Sequence, residues 1–310
     1  MPLPDEHLTY PRRRYGSDQD RYAWRLAGAE PVRWPWGGPL AVTVVVPLEH
    51  HPLNPSGKPF KHPGAMVTPY PDLRHYTTRD YGNRVGAWRL LDALNAAGVR
   101  ATFPVNAARI DRLRPLLDAV AAGGHEIAAY GLSTDHIHWG GLERAMEEAW
   151  VAEVRARFDA AGLAPRTWLS PARQQGFATL DLIRAHGFDV GLDWEADETP
   201  WAMSTEAGPL TAVPLSNELD DRFLLIDKHH SEDEWAAQVL EAAAYLKTET
   251  HRYGGRSLGF TLTPYVSGQP FRIATVERVL ATLGADADVR CVTASEAADA
   301  AARSLSSRTA

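Results

Sequence analysis

The strongest constraint on the fold is an alternation, kept up along most of the chain, between short apolar runs and amphipathic stretches that stop on glycine. PLAVTVVVPLE (39–49) is apolar almost without a break, the pattern of a parallel strand covered on both faces. After a Pro/Gly/His-rich loop from His50 to about Arg79, GNRVGAWRLLDALNAAG (82–98) has helical spacing and stops at Gly98, and VRATFPVN (99–106) is a strand. The helix 109–124 leads to the strand HEIAAYGL (125–132), and the charged-faced helix 141–162 leads to RTWLSP (166–171). Helix 177–187 and strand FDVGLDW (188–194) follow, and AGPLTAVPLS (207–216) supplies a further strand. Ser231 and Glu234 stand in capping-box spacing at the head of a long helix. SLGFTLTPY (257–265), RIATVERVLATLG (272–284) and DVRCVTASE (288–296) read as strand, helix and strand. Such units predict an α/β fold with a parallel sheet. With no Pro/Ser-rich linker between them, they predict one distorted (β/α)7-type barrel over 38–310, with residues 1–37 as an irregular, aromatic-rich N-terminal arm packed on it.

Several function classes lose their signals. A net charge of -7 with scattered Lys and Arg excludes a phosphate-neutralising stripe, so nucleic acid is not an expected partner. No window has the length and apolarity of a membrane span, and MPLPDEHLTYPRRRYG has charges and prolines where an export signal carries an apolar run. The expected location is the cytoplasm. The single Cys291 rules out an internal disulfide, and its setting in VRCVTA predicts a buried strand residue instead of a nucleophile. Glycine patterns for dinucleotides, nucleoside triphosphates and the hydrolase serine elbow are missing.

In a parallel barrel the chemistry sits at the C-terminal ends of the strands. That rule selects Glu49, His50 and His51 after the first strand, Asn106 after the second and Tyr130 to His138 after the third. Ser170, Pro171 and Arg173 come next, then Asp193, Trp194, Glu195, Asp197 and Glu198, and finally Thr263, Pro264 and Tyr265. His136 and His138, two apart, face one way in an extended segment and would chelate zinc or a similar divalent metal; on a helix they would diverge. Arg173 is either a structural ion-pair partner or a fork for a carboxylate or ureido oxygen. The indoles of Trp139, Trp168, Trp194 and Trp201, with Tyr265 and the cations Arg79, Arg84 and Arg173, predict a compact, planar or ring-shaped polar ligand with an anionic or carbonyl group.

The segments RDYGNRVG (79–86) with GVRATF, GGHEIAAYG (123–131), WLSPAR (168–173) and TPYVSGQPFR (263–272) resemble the polysaccharide deacetylase (NodB-homology) superfamily over roughly 38 to 300. Within it, the chain is most similar to the cytoplasmic branch that includes the metal-independent allantoinases. The resemblance implies a distorted (β/α) barrel, hydrolysis of a non-peptide C–N bond and a homo-oligomer. Family deacetylases carry an Asp pair after the first strand, a His-x-x-x-His pair after the third and a late histidine. Here those places hold Pro47-Leu48-Glu49, Tyr130 with Thr134, and Thr263.

On this basis no cofactor is expected, and Glu49, Tyr130, His50 and Arg173 are the catalytic candidates. Glu49 is expected as general base or water-orienting group, Tyr130 as oxyanion donor and Arg173 as substrate clamp. Arg79, Arg84, Asn106, His136, Trp194, Glu195, Thr263 and Tyr265 are the substrate-binding candidates. A rebuilt metal site would use Glu49, His136 and His138. Three readings stay open: a hydrolase of a small amide, cyclic amide or ureide; a barrel recruited to a non-hydrolytic elimination, isomerisation or cyclisation with Glu49 and a histidine as acid and base; and a non-catalytic ligand-binding homologue. The charged-faced helix from Glu143 to Ala161 and the Trp-rich arm are the expected self-association surfaces.

Overall fold

The computed structural model describes residues 18–55 and 71–306. The first half of the expected arm and most of the loop after His50 lie outside the described residues. Among the described residues, nine strands form one sheet: β1 Leu40–Val45, β2 Ala101–Val105, β3 Glu126–Ala129, β4 Thr167–Trp168, β5 Val190–Gly191, β6 Trp201–Met203, β7 Leu210–Ala212, β8 Arg256–Thr261 and β9 Val289–Cys291. Their order is β6-β7-β5-β4-β3-β2-β1-β8, with β9 alongside β1, and every pairing is parallel except β6 with β7. β6 follows the acidic DWEADE loop and has no alternating pattern of its own, so it was not anticipated as a strand.

Among the described residues, eight α-helices cover the sheet: α1 Leu73–Tyr81, α2 Ala87–Ala96, α3 Ile110–Ala122, α4 Arg144–Ala160, α5 Thr179–Ala185, α6 Glu232–Tyr253, α7 Ile273–Ala285 and α8 Ala294–Ser306. β1 is buried at all of its positions, as its unbroken apolar run requires, and Trp168, Phe103, Phe158 and Phe260 fill the layers around it. Each such side chain contributes roughly 1.5–3 kcal/mol by leaving water. The curled sheet is drawn together at its seam by main-chain bonds from Ser216 N to Gly259 O (3.0 Å) and from Ser257 N to Glu198 O (2.7 Å). Gly259 permits that approach, since a Cβ there would lie 2.3 Å from Pro214 O.

The expected loop from His50 to Arg79 is corrected at its end. Asp72 caps α1, its side chain accepting from His75 N at 2.9 Å, so the helix starts at Leu73. Between α1 and α2 the chain makes a π-helical turn, Gly82–Gly86. The two glycines explain it. A Cβ on Gly86 would sit 2.0 Å from Pro264 O, and one on Gly82 would sit 2.8 Å from Tyr265 N. The wide turn therefore packs its backbone directly on the loop after β8, the kind of local helix distortion often found beside functional sites. Ser231 and Glu234 form the expected capping box of α6.

Residues 18–37 lie on the barrel. Both Arg21 guanidinium nitrogens bond the Asp181 carboxylate, at 2.7 and 2.8 Å. Tyr22 packs edge-on against Trp194 and Trp201, and Val32 bridges to Gly255. Cys291 is a half-buried strand residue whose thiol is pushed up to about 11 by burial, so it stays protonated.

Candidate functional site

The loop leaving β1 carries Glu49, His50 and His51, and the three side chains take different roles. Glu49 is 5% exposed, and its carboxylate meets groups from two other elements and from its own loop. Tyr130, just past β3, donates its hydroxyl to Glu49 Oε1 at 3.1 Å. Arg222, in a second π-helical turn (Arg222–Asp227), brings its guanidinium to 3.8 Å from the same oxygen. His51 Nε2 lies 3.1 Å from Oε2. Burial alone would raise the Glu49 pKa. The His51 hydrogen bond and charge, with Arg222 and Tyr130, override it and hold the carboxyl at about 2.

An ionised carboxylate only accepts, so His51 Nε2 must carry the proton between them. The other nitrogen, Nδ1, lies 3.4 Å from Thr134 Oγ1, whose own proton goes to His50 O at 2.8 Å. Nδ1 thus faces an oxygen lone pair at a long distance, which leaves its own lone pair available. The pair is an imidazole oriented by a buried carboxylate, an arrangement suited to proton transfer.

His50 is placed differently. Its Nδ1 accepts from Arg109 Nε at 2.9 Å, so the neutral ring carries its proton on Nε2. Burial first, then the charge of Arg109, lowers its pKa to about 3. His50 is therefore a hydrogen-bond donor and not the acid/base partner expected from sequence. Asn106 is also reassigned. It accepts from His50 N at 2.6 Å and donates to Tyr130 O, so from the end of β2 it braces the chain after β1 and β3, and it is fully buried.

Glu49, His50 and His51 line a cavity of about 240 Å³ with Arg79, Asn83 and Arg84 of the α1–α2 region. Its far wall is Arg109, Arg112, Leu113 and Leu116 of α3 and its approach, with Trp88 of α2 beside them. Asn83 donates to Glu49 O at 2.7 Å, which locks the β1 loop to the π turn. The Arg79 guanidinium stacks 5.0 Å over the Tyr265 ring. Burial and the Glu49 charge raise the pKa of Tyr265, and the same two causes raise that of Tyr130. Tyr130 accordingly stays an O–H donor, committed to Glu49 instead of an oxyanion.

The other candidates lie elsewhere. Arg173 bonds Leu215 O and Asn217 Oδ1, and it does not line the Glu49 cavity. Arg173 and Ala172 both sit at positive φ, 54° and 57°, a strained pair that carries the guanidinium across to the chain after β7. Its expected role as a clamp is corrected to a tie. Trp194 donates to Gln175 Oε1 at 2.9 Å, and Gln175 donates to Asp193, which also accepts from Ser170 N and Oγ. Glu195 accepts from Asn217 N and lines a second cavity at the barrel seam, of about 530 Å³. Thr263 donates its N–H to Asp221 Oδ2 at 2.7 Å.

The metal set Glu49, His136 and His138 is not assembled. His138 is 1% exposed, bonded to Glu147 at 2.9 Å and enclosed by Trp150 and Trp168, while His136 bonds Ser133 Oγ at 2.7 Å. Among the described residues no group of three His, Cys, Asp or Glu side chains is placed to hold a metal ion. With Tyr130 and Thr134 at the usual histidine places, and Tyr130 bonded to Glu49, these residues do not fit the metal centre of the deacetylases.

Sequence reasoning missed Arg222, Asp221, Asn83, Arg109 and Arg112, and it ranked His50 above His51. DDRF carries no pattern that points at Glu49, and the site side of α1 became visible only with the π turn.

The polysaccharide deacetylase family profile matches residues 69–191. No curated protein matches the chain. Among solved structures, a probable polysaccharide deacetylase from Pseudomonas aeruginosa PAO1 superposes with a TM-score of 0.77 at 21% identity, covering 87% of this chain and 93% of that one. PuuE allantoinase superposes with a TM-score of 0.78 at 20% identity, covering 91% of this chain and 97% of that one. Residues 69–191 thus resemble the polysaccharide deacetylase family, and the described chain shares its fold with solved structures that include a probable polysaccharide deacetylase and an allantoinase.

Proposed function

We propose that the chain hydrolyses a non-peptide C–N bond in a small amide, cyclic amide or ureide, with His51 as the proton-handling residue and Glu49 as the carboxylate that orients it. The observation that carries this reading is the buried Glu49–His51 pair at the mouth of β1, opening on a cavity lined by donors. Glu49, held at about 2, is too weakly basic to take a proton from water itself. It fixes the His51 tautomer and stabilises the ring when it becomes cationic.

Water attacks the carbonyl carbon while His51 Nδ1 takes its proton. The carbonyl oxygen, now anionic, meets the Nε2–H of neutral His50, an electrophile of the kind a low imidazole pKa permits. His51 then returns the proton to the nitrogen as the C–N bond breaks, releasing an acid and an amine. Tyr130 and Arg222 keep Glu49 ionised throughout. The family's deacetylase and allantoinase members support the bond type.

The test is mass spectrometry of products formed in H2¹⁸O from N-acetyl amines, hydantoins and allantoin. One labelled oxygen in the new acid, absent with His51→Asn, is expected. Product that carries no label would replace hydrolysis by an elimination or rearrangement.

A further inference from the structure

We propose that the cavity beside Glu49 binds the carboxylate of its substrate through Arg84, Arg109 and Arg112, so that the substrate class is an amide or ureide bearing a carboxylate. This rests on the reading of Glu49 and His51 as the reacting pair, and it extends that reading to the other end of the ligand.

The lining holds four arginines against only two acids, Glu49 and Asp80. Glu49 already faces His51 and Arg222. Asp80 approaches Arg112 only to 4.0 Å, and Arg84 has no charged partner among the described residues. Arg109 gives Nε to His50, which leaves the outer edge of its guanidinium without a hydrogen bond among the described residues. Burial, and then the neighbouring Arg112 charge, lower the Arg109 pKa, and the Asp80 charge offsets them only in part. Guanidinium forks suit the two parallel bonds that a carboxylate accepts.

The rest of the lining agrees. Trp88, Leu113 and Leu116 give the cavity an apolar side, and at about 240 Å³ it lies below the size of drug-like pockets, which favours a small metabolite. His50 joins the two ends: its Nδ1 accepts from Arg109, and its Nε2–H is the donor assigned above to the reacting carbonyl. A carboxylate on the arginines would thus be coupled through one imidazole to the carbonyl that reacts.

The test is calorimetric titration of the intact chain with N-acetylglycine, N-acetylglycinamide and inorganic phosphate. These are repeated with Arg84→Gln/Arg112→Gln and, to prevent turnover of the probe, in a His51→Asn background. Both arginines are exposed, so the double variant is expected to keep the wild-type melting temperature. The carboxylate is expected to bind about tenfold or more tightly than the carboxamide. That preference should shrink with added salt and vanish in the double variant. Equal binding of the two, no binding of either, or a preference that survives the double substitution would overturn the carboxylate site. Tighter binding of phosphate than of N-acetylglycine would overturn the choice of carboxylate. Binding with the expected preference but no hydrolysis of any amide by the wild type would leave this site standing and remove only the proposed reaction.

Discussion

Replacing Glu49 by Gln removes one charge at nearly constant shape, and the structure sets the size of the effect. In the folded chain the Glu49 carboxyl is held at about 2, against 4.5 for the free group. At about 1.4 kcal/mol per tenfold change, that difference is worth about 3 kcal/mol of stability at neutral pH. Because the folded value is depressed, the contribution is fully present above about pH 4.5 and is lost as pH falls towards 2. Counted instead as the removal of one partner of a buried pair, the same loss, which leaves Arg222 facing an amide, is about 3–5 kcal/mol in comparable cases. Urea unfolding of wild type and Glu49→Gln is therefore expected to differ by about 3 kcal/mol at pH 7, with the gap narrowing steadily below pH 4.5. A variant as stable as wild type at pH 7, or a gap that stays constant down to pH 2, would refute the ionised, partnered Glu49 on which the site is built.

Asp221 has the opposite sign. Burial, and then the Asp220 charge, raise its carboxyl to about 7, so its protonated form favours the fold and stability is lost as pH rises from 3.8 through 7; Asp221→Asn should flatten that part of a thermal-melt profile. Gly86→Ala would place a Cβ 2.0 Å from Pro264 O and is expected to lower the melting temperature by several degrees, whereas Gly98→Ala, strained by its positive φ but in open space, should lower it less. His138→Asn leaves Glu147 buried beside Trp150 and is expected to destabilise by about 3 kcal/mol in urea, while N-acetylglycine binding to the folded variant stays unchanged. Arg21→Ala cuts the tie to Asp181 and should speed limited proteolysis within residues 18–37, read by mass spectrometry, while the barrel stays intact.

The fold was legible because its signals are local. The apolar run of β1, the glycine stops and the Ser231–Glu234 cap each need only neighbouring residues to act. The rule that chemistry gathers at strand ends also selected Glu49 and Tyr130 from distant parts of the chain, and their side chains meet at 3.1 Å. What stayed hidden depends on pairing across the molecule. His51 differs from His50 only in facing Glu49, while His50 faces Arg109. Arg222 sits in a π turn with no sequence signature, and the π turn at Gly82–Gly86 is explained only by the loop at Pro264 that packs into it. His136 and His138 looked like a chelate because spacing says nothing of Ser133 and Glu147, which hold them apart from Glu49.

The central claim is that Glu49 and His51 act as one unit, and a double-mutant cycle on kcat/KM for a hydrolysed amide tests it most directly. Each of Glu49→Gln and His51→Asn is expected to lower kcat/KM by about a hundredfold to ten-thousandfold, with the double variant no worse than the weaker single one. Additive losses, or a His51→Asn enzyme that keeps wild-type turnover, would contradict the account.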